Sequence, residues 1–152
     1  MAEALIGLRQ LQETLQKLPS LIVARALYKA LDRAAGVIAA EVELRAPEGE
    51  YEELKDNVVV ALAVDPVKLL GRATIGFSHN ASERTEKPLD LIAYWVEFGH
   101  VMETHDHRTP KNGLDHVAAR PFCRPAFDSS ADRAGEVFQE VFVEELEKLG
   151  AK

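Results

Sequence analysis

Apolar positions recur at helical spacing through the first third of the chain. Leu8, Leu11, Leu15 and Leu18 fall at steps of three, four and three among Arg9, Gln10, Gln12, Glu13, Gln16 and Lys17, which predicts a short helix with one apolar stripe. Pro19 has no amide hydrogen and disfavours helical geometry in the residue before it, so this helix should stop near Leu18. From Ser20 the period resumes through Leu27, Leu31, Ala34, Ile38 and Val42, with Ala24, Ala26, Ala30, Ala35, Ala39 and Ala40 between them. Alanine is the least costly residue in a helix, and it outweighs the loss of about 1 kcal/mol at Gly36. This second helix should end near Arg45, because Pro47 and Gly49 follow.

Helical periodicity then gives way to shorter patterns. Residues 46–56 read as a loop or one short turn, and Val58-Val59-Val60-Ala61-Leu62-Ala63-Val64 is a β-branched run of strand length closed by Asp65-Pro66. Gly71 to Ser78 alternates, with Ala73, Ile75 and Phe77 on one face and Arg72, Thr74 and Gly76 on the other, so an antiparallel hairpin with a loop of about six residues is expected. Asn80 to Asp90 is polar and reads as an exposed loop. Leu91 to Phe98 is almost wholly apolar and short enough to be two helical turns or a strand. Gly99 opens a stretch to Ala119 without sustained apolar period, a long loop. Pro125 suits the first turn of a last helix, whose stripe of Ala131, Ala134, Phe138, Val141, Phe142 and Leu149 runs to the end.

Helices and strands that do not alternate point to an α+β fold. The expected architecture is one domain over 1–152: two helices within 1–45, a small antiparallel sheet of three to four strands within 57–98, a long loop 99–119, and a C-terminal helix 124–149 packed on the sheet. Such a sheet has edges that must be covered or used.

Composition narrows the function. With 152 residues, 47% of them hydrophobic, the chain can bury a core without a metal or disulfide staple. Its 18 Lys plus Arg against 25 Asp plus Glu give a net charge of -7, which argues against broad attraction to nucleic acid or anionic lipid. The lone Cys123 cannot form an intramolecular disulfide, so a cytoplasmic setting is the expectation. Met1-Ala2-Glu3-Ala4 opens without a basic n-region or long apolar run, and no segment reaches about 20 apolar residues, so neither secretion nor a membrane partner is expected.

Candidate chemistry is sparse. His100, His105, His107 and His116 share the long loop with Glu103, Asp106 and Asp115, and His105 and His107 would present two imidazoles to one zinc-like ion if that stretch were extended. A solvated polar loop explains the same residues. Cys123 lies between Phe122 and Arg124, where a cation can activate a thiol and burial can silence it. Hydrolase-elbow and phosphate-loop patterns are missing, and the carboxylate pairs Glu52-Glu53 and Glu144-Glu145 read as solvated faces. The aromatic group Tyr94, Trp95, Phe98, Phe122 and Phe127 reads mostly as core; a ligand pocket is another use, and a base-stacking platform is disfavoured by the acidic chain with few interleaved Arg or Lys.

Two segments in order, Tyr94-Trp95-Val96-Glu97-Phe98-Gly99 and Ala119-Arg120-Pro121-Phe122-Cys123-Arg124-Pro125-Ala126-Phe127, resemble the tail-component family of siphophages and prophages. The Gly7-Leu8-x-x-Leu11 helix and the Ala-rich helix ending in Arg45-Ala46-Pro47 also fit. The chain departs from the family pattern at Glu48 to Asn57, where only Gly49, Leu54 and Lys55 match. The resemblance implies a neck or tail-completion protein at the head–tail junction of the virion, made in the host cytoplasm, with no catalytic residue and no cofactor. It implies a homo-oligomeric ring, six- or twelve-fold, that meets head-closure or connector proteins and tail terminator or tail tube proteins. DNA would pass through that ring without specific binding. Trp95, Glu97, Phe98, Arg120, Phe122 and Arg124 are the candidate contact residues, because two prolines stiffen the arginine run and Arg suits interface ion pairs. The same run also reads simply as a rigid lead into the last helix. A tail terminator is the near alternative; a metal-dependent enzyme using loop 100–116 and a small-ligand binding module are the alternatives of other kinds.

Overall fold

A computed structural model of the chain describes residues 20–47, 52–83, 85–103 and 114–150. The first expected helix and the candidate ligands His105 and His107 lie outside the described residues. Helix α1 (Ser20–Arg45) is followed by a short 3-10 helix (Glu52–Asn57), strands β1 (Val58–Asp65) and β2 (Leu70–Phe77), helix α2 (Leu89–Phe98), strands β3 (His100–Glu103) and β4 (Leu114–Val117), and helix α3 (Cys123–Gly150).

Helix α1 occupies the expected span, yet its buried line is not the large-residue stripe. Ala26, Ala30, Ala35, Ala39 and Val42 are buried, whereas Leu27, Leu31, Ala34 and Ile38 are only half-buried. Alanine lets a neighbouring element approach closely, and longer side chains then reach around the contact.

The expected sheet of three to four strands is instead two separate two-stranded sheets, β1–β2 and β3–β4. The apolar run 91–98, open between helix and strand in the sequence, is helical and so adds no strand. Its inward face buries Leu89, Ile92, Ala93 and Val96 at helical spacing. The expected loop 99–119 has strands for arms: β3 and β4 pair antiparallel, with His100 opposite Val117 and Val101 opposite His116. Four-residue strands held by backbone bonds, with apolar Val101 and Met102 adjacent in β3 and Leu114 and Val117 three apart in β4, leave no period-two signal to read.

Two further segments are tighter than the sequence suggests. The β1–β2 turn spans four residues, with the Asp65 carboxylate accepting from the N–H groups of Val67 (2.9 Å) and Lys68 (3.0 Å). The polar segment before α2 is pinned by Ser82 N–H to Lys87 O (2.8 Å) and Leu89 N–H to Asn80 O (2.9 Å).

The contacts group into two compact units. One comprises Met1–Val37, Val60–Thr74 and Asp132–Lys152, and its core contains Val23, Ala26 and Leu146 with Phe142 and Leu149 against them. Here Lys29 also meets the nearly buried Glu145, and its hydrogen bond, opposed by burial and helped by the charge of Lys148, holds that carboxyl below its ordinary value. The other unit comprises Ile38–Val59 and Ile75–Ala131. Its core joins Val42 and Ala46 of α1, the fully buried Leu54, the inner face of α2, and Phe122 and Ala126 at the start of α3. Phe77 of β2 lies 5.7 Å from the Phe122 ring in the same cluster.

Candidate functional site

The two sequence motifs meet in the second unit, and one carboxylate joins them. Glu97, in the last turn of α2, accepts hydrogen bonds from the N–H groups of Phe122 (2.7 Å), Cys123 (2.9 Å) and Arg124 (3.2 Å). Those amides belong to the start of α3, where a helix has four donors without intrahelical acceptors. The fourth position is Pro125, which carries no N–H, and Ala126 N–H to Phe122 O (3.1 Å) begins the regular ladder. A side chain from another helix therefore completes the cap that Phe122 cannot supply. A negative charge at a helix N-terminus is also favoured by the helix dipole.

Neighbouring backbone contacts fix this joint. Arg120 N–H donates to Val96 O at 2.8 Å. Gly99, which ends α2, has φ 74 and ψ 167, a region essentially reserved for glycine. A Cβ there would lie 2.7 Å from Val117 O and 2.9 Å from Ala119 N, so both the conformation and the space require glycine. The Glu-Phe-Gly sequence thus performs two separate tasks: a cap from Glu97 and a close chain crossing at Gly99.

The electrostatics follow from this packing. Partial burial pushes the Glu97 carboxyl upward, but the amide hydrogen bonds from Phe122, Cys123 and Arg124, with the Cys123 thiol, hold it below its ordinary value. Burial, followed by the charge and hydrogen bonding of Glu97, pushes the Cys123 thiol up to about 12. A helix N-terminus normally activates a thiol; burial of the thiol, with the half-buried carboxylate beside it, reverses that effect. Cys123 is accordingly a protonated packing residue.

The predicted contact residues divide into supporting and exposed members. Phe122 is 4% exposed and belongs to the core, Glu97 is engaged in the cap, and Trp95 is half-buried with its ring stacked 5.1 Å from that of His100. Phe98, Arg120 and Arg124 are exposed. Tyr94 and Phe98, at 59% and 64% exposed, lie one turn apart on the outward face of α2 with ring centroids 4.9 Å apart. Leu91 extends this outward line, and Phe127 is exposed on α3. Core packing therefore accounts for Phe122 but not for Tyr94, Phe98 or Phe127. An almost wholly apolar helical run could have signalled this, because one face of α2 suffices for the core and the other is left apolar toward solvent.

Among the described residues, no cluster of three or more His, Cys, Asp or Glu is placed to hold a metal ion. No described helix is long and apolar enough to cross a membrane.

Residues 9–99 match the model of the bacteriophage HK97-gp10-like tail-component family. This chain belongs to that family. The match ends at Gly99, so it includes the first motif and not the Arg120-to-Pro125 segment that Glu97 caps. Comparison with curated proteins and with solved structures gives no match. Family membership makes the chain a bacteriophage tail component with a structural role in the virion.

Proposed function

We propose that this tail component is a neck or tail-completion protein that forms a ring at the head–tail junction, through which DNA passes. The family match over 9–99 carries the reading. It is supported by an aromatic face on α2 that the subunit's own core does not use, beside a backbone segment locked by the Glu97 cap. In this reading Tyr94 and Phe98 are apolar anchors in a contact with a neighbouring subunit or junction protein, and Arg120 and Arg124 supply the polar rim. Trp95, Glu97 and Phe122 act behind them by holding α2 and the start of α3 in fixed relation. The partners are further copies in a six- or twelve-fold ring, head-closure or connector proteins on one side, and tail terminator or tail tube proteins on the other. No catalytic residue or cofactor is assigned.

Replacing two exposed aromatics should separate folding from assembly. The Tyr94→Ser, Phe98→Ser double variant is expected to keep its unfolding midpoint within the shift of about 0.5 kcal/mol typical of surface changes. Its incorporation into purified particles should fall at least tenfold. Normal incorporation would remove this face from the assembly contact.

A further inference from the structure

We infer that the free edge of β1 in one copy pairs with the free edge of β2 in the next copy, so that neighbouring hairpins join in one antiparallel sheet. This rests on the reading of the chain as a repeating ring subunit. The two strands form a sheet of their own, so each has one edge without a partner strand among the described residues. The hairpin itself packs on α1, where Leu27 and Leu31 lie against Gly71, but that contact covers a face and leaves the strand edges open; natural proteins guard an open edge with charge, proline or a bulge. β1 carries no charge and no proline from Val58 to Val64. Val59, Val60 and Ala61 are all exposed, so side chains of both parities face solvent over that stretch. A row of unpaired backbone donors and acceptors selects an extended chain as occupant.

Charge and direction select a second copy. The charged residue of β1 is Asp65, at its C-terminal end, and that of β2 is Arg72, near its N-terminal end. In copies related by rotation about a ring axis, β1 of one runs antiparallel to β2 of the next, because the two strands already oppose one another within each hairpin. Asp65 and the neighbour's Arg72 then come to the same end with opposite sign. A two-fold pairing of β1 with β1 would send the two Asp65 residues to opposite ends and leave both β2 edges open. The unlike-edge contact repeats, which is what closing a ring requires. An open depression of about 470 Å³ lined by Ala63, Val64, Asp65, Leu70, Gly71 and Arg72 lies at this end of the hairpin. The turn bonds use Oδ1 of Asp65.

With Asp65 opposite Arg72 of the neighbour, antiparallel register sets Ala63 opposite Thr74, and both are exposed. Full-length Ala63→Cys and Thr74→Cys chains are therefore assembled into particles separately and as an equal mixture, oxidised mildly and separated without reductant. The native Cys123, half-buried and protonated beside Glu97, does not compete. A band at twice the chain mass is expected from the mixture, several-fold above either variant alone, and adding Arg72→Glu to the Thr74→Cys chain should weaken it. Equal bands in all three, or variant chains in the particles without the double-mass band, would overturn the edge pairing and leave the ring reading standing. Absence of the unaltered chain from the particles would defeat the ring reading itself. In the unaltered chain, amide exchange over 58–64 should slow at least tenfold on assembly, and unchanged exchange would likewise overturn the pairing.

Discussion

Glu97 is where the two motifs become one object, and its carboxylate has a testable pH signature. The folded-state value lies below the ordinary 4.5, held there against burial by amide hydrogen bonds. The stabilisation is thus fully present above the unfolded value and is lost as pH falls through the lowered folded value. Glu97→Gln removes the charge and turns donors toward donors, so it should cost about 2 kcal/mol at pH 7, the usual scale for a charged acceptor at a helix end. Urea unfolding of the two proteins at pH 7 and near pH 3 should show the gap shrinking in acid. His79 hydrogen bonding, with burial opposing, lowers the Asp90 carboxyl, and Lys29 lowers that of Glu145; these remain in both proteins and cancel from the difference. A gap that stays constant with pH would mean that Glu97 acts through packing alone.

At the scale of elements, what the sequence shows depends on whether apolar side chains or backbone bonds hold the piece together. α1, β1, β2 and α3 were legible because their runs are long and periodic, and their observed spans agree with the expected ones within about two residues. β3 and β4 were not, since four residues with polar neighbours pair through the backbone and show no pattern. The 3-10 helix answers to the short turn, one of the two readings of residues 46–56, but no local pattern marks Leu54 within it as fully buried. For the site, the residues Glu97, Arg120 and Arg124 could be named in advance, but not the division of labour among them. The interhelical cap depends on residues 25 to 27 positions apart, a separation that no local period encodes. α1 also contains an unused opportunity: Gly36 lies in mid-helix with open space where a Cβ would be. Gly36→Ala should raise stability by about 1 kcal/mol, read as a higher thermal midpoint, because alanine loses less backbone freedom in a helix. A lower midpoint would show that the site is closed in the folded protein.

For the whole molecule, the charge of -7 bears on the proposed passage of DNA. Carboxylates lining a channel would keep the polymer from adhering, and at physiological salt the effect reaches about 8 Å, so only groups facing the lumen act on it. Gel retardation with duplex DNA at low salt should show no complex; a salt-sensitive complex at micromolar protein would contradict a non-adhesive channel. A capped helix pair, an aromatic face and an unguarded strand edge are the features that the proposed ring would repeat from subunit to subunit. Cryo-electron microscopy of intact virions should find this chain as a closed ring between head and tail, surrounding the DNA path; its absence from purified virions, or its density anywhere but that junction, would contradict the proposed junction ring.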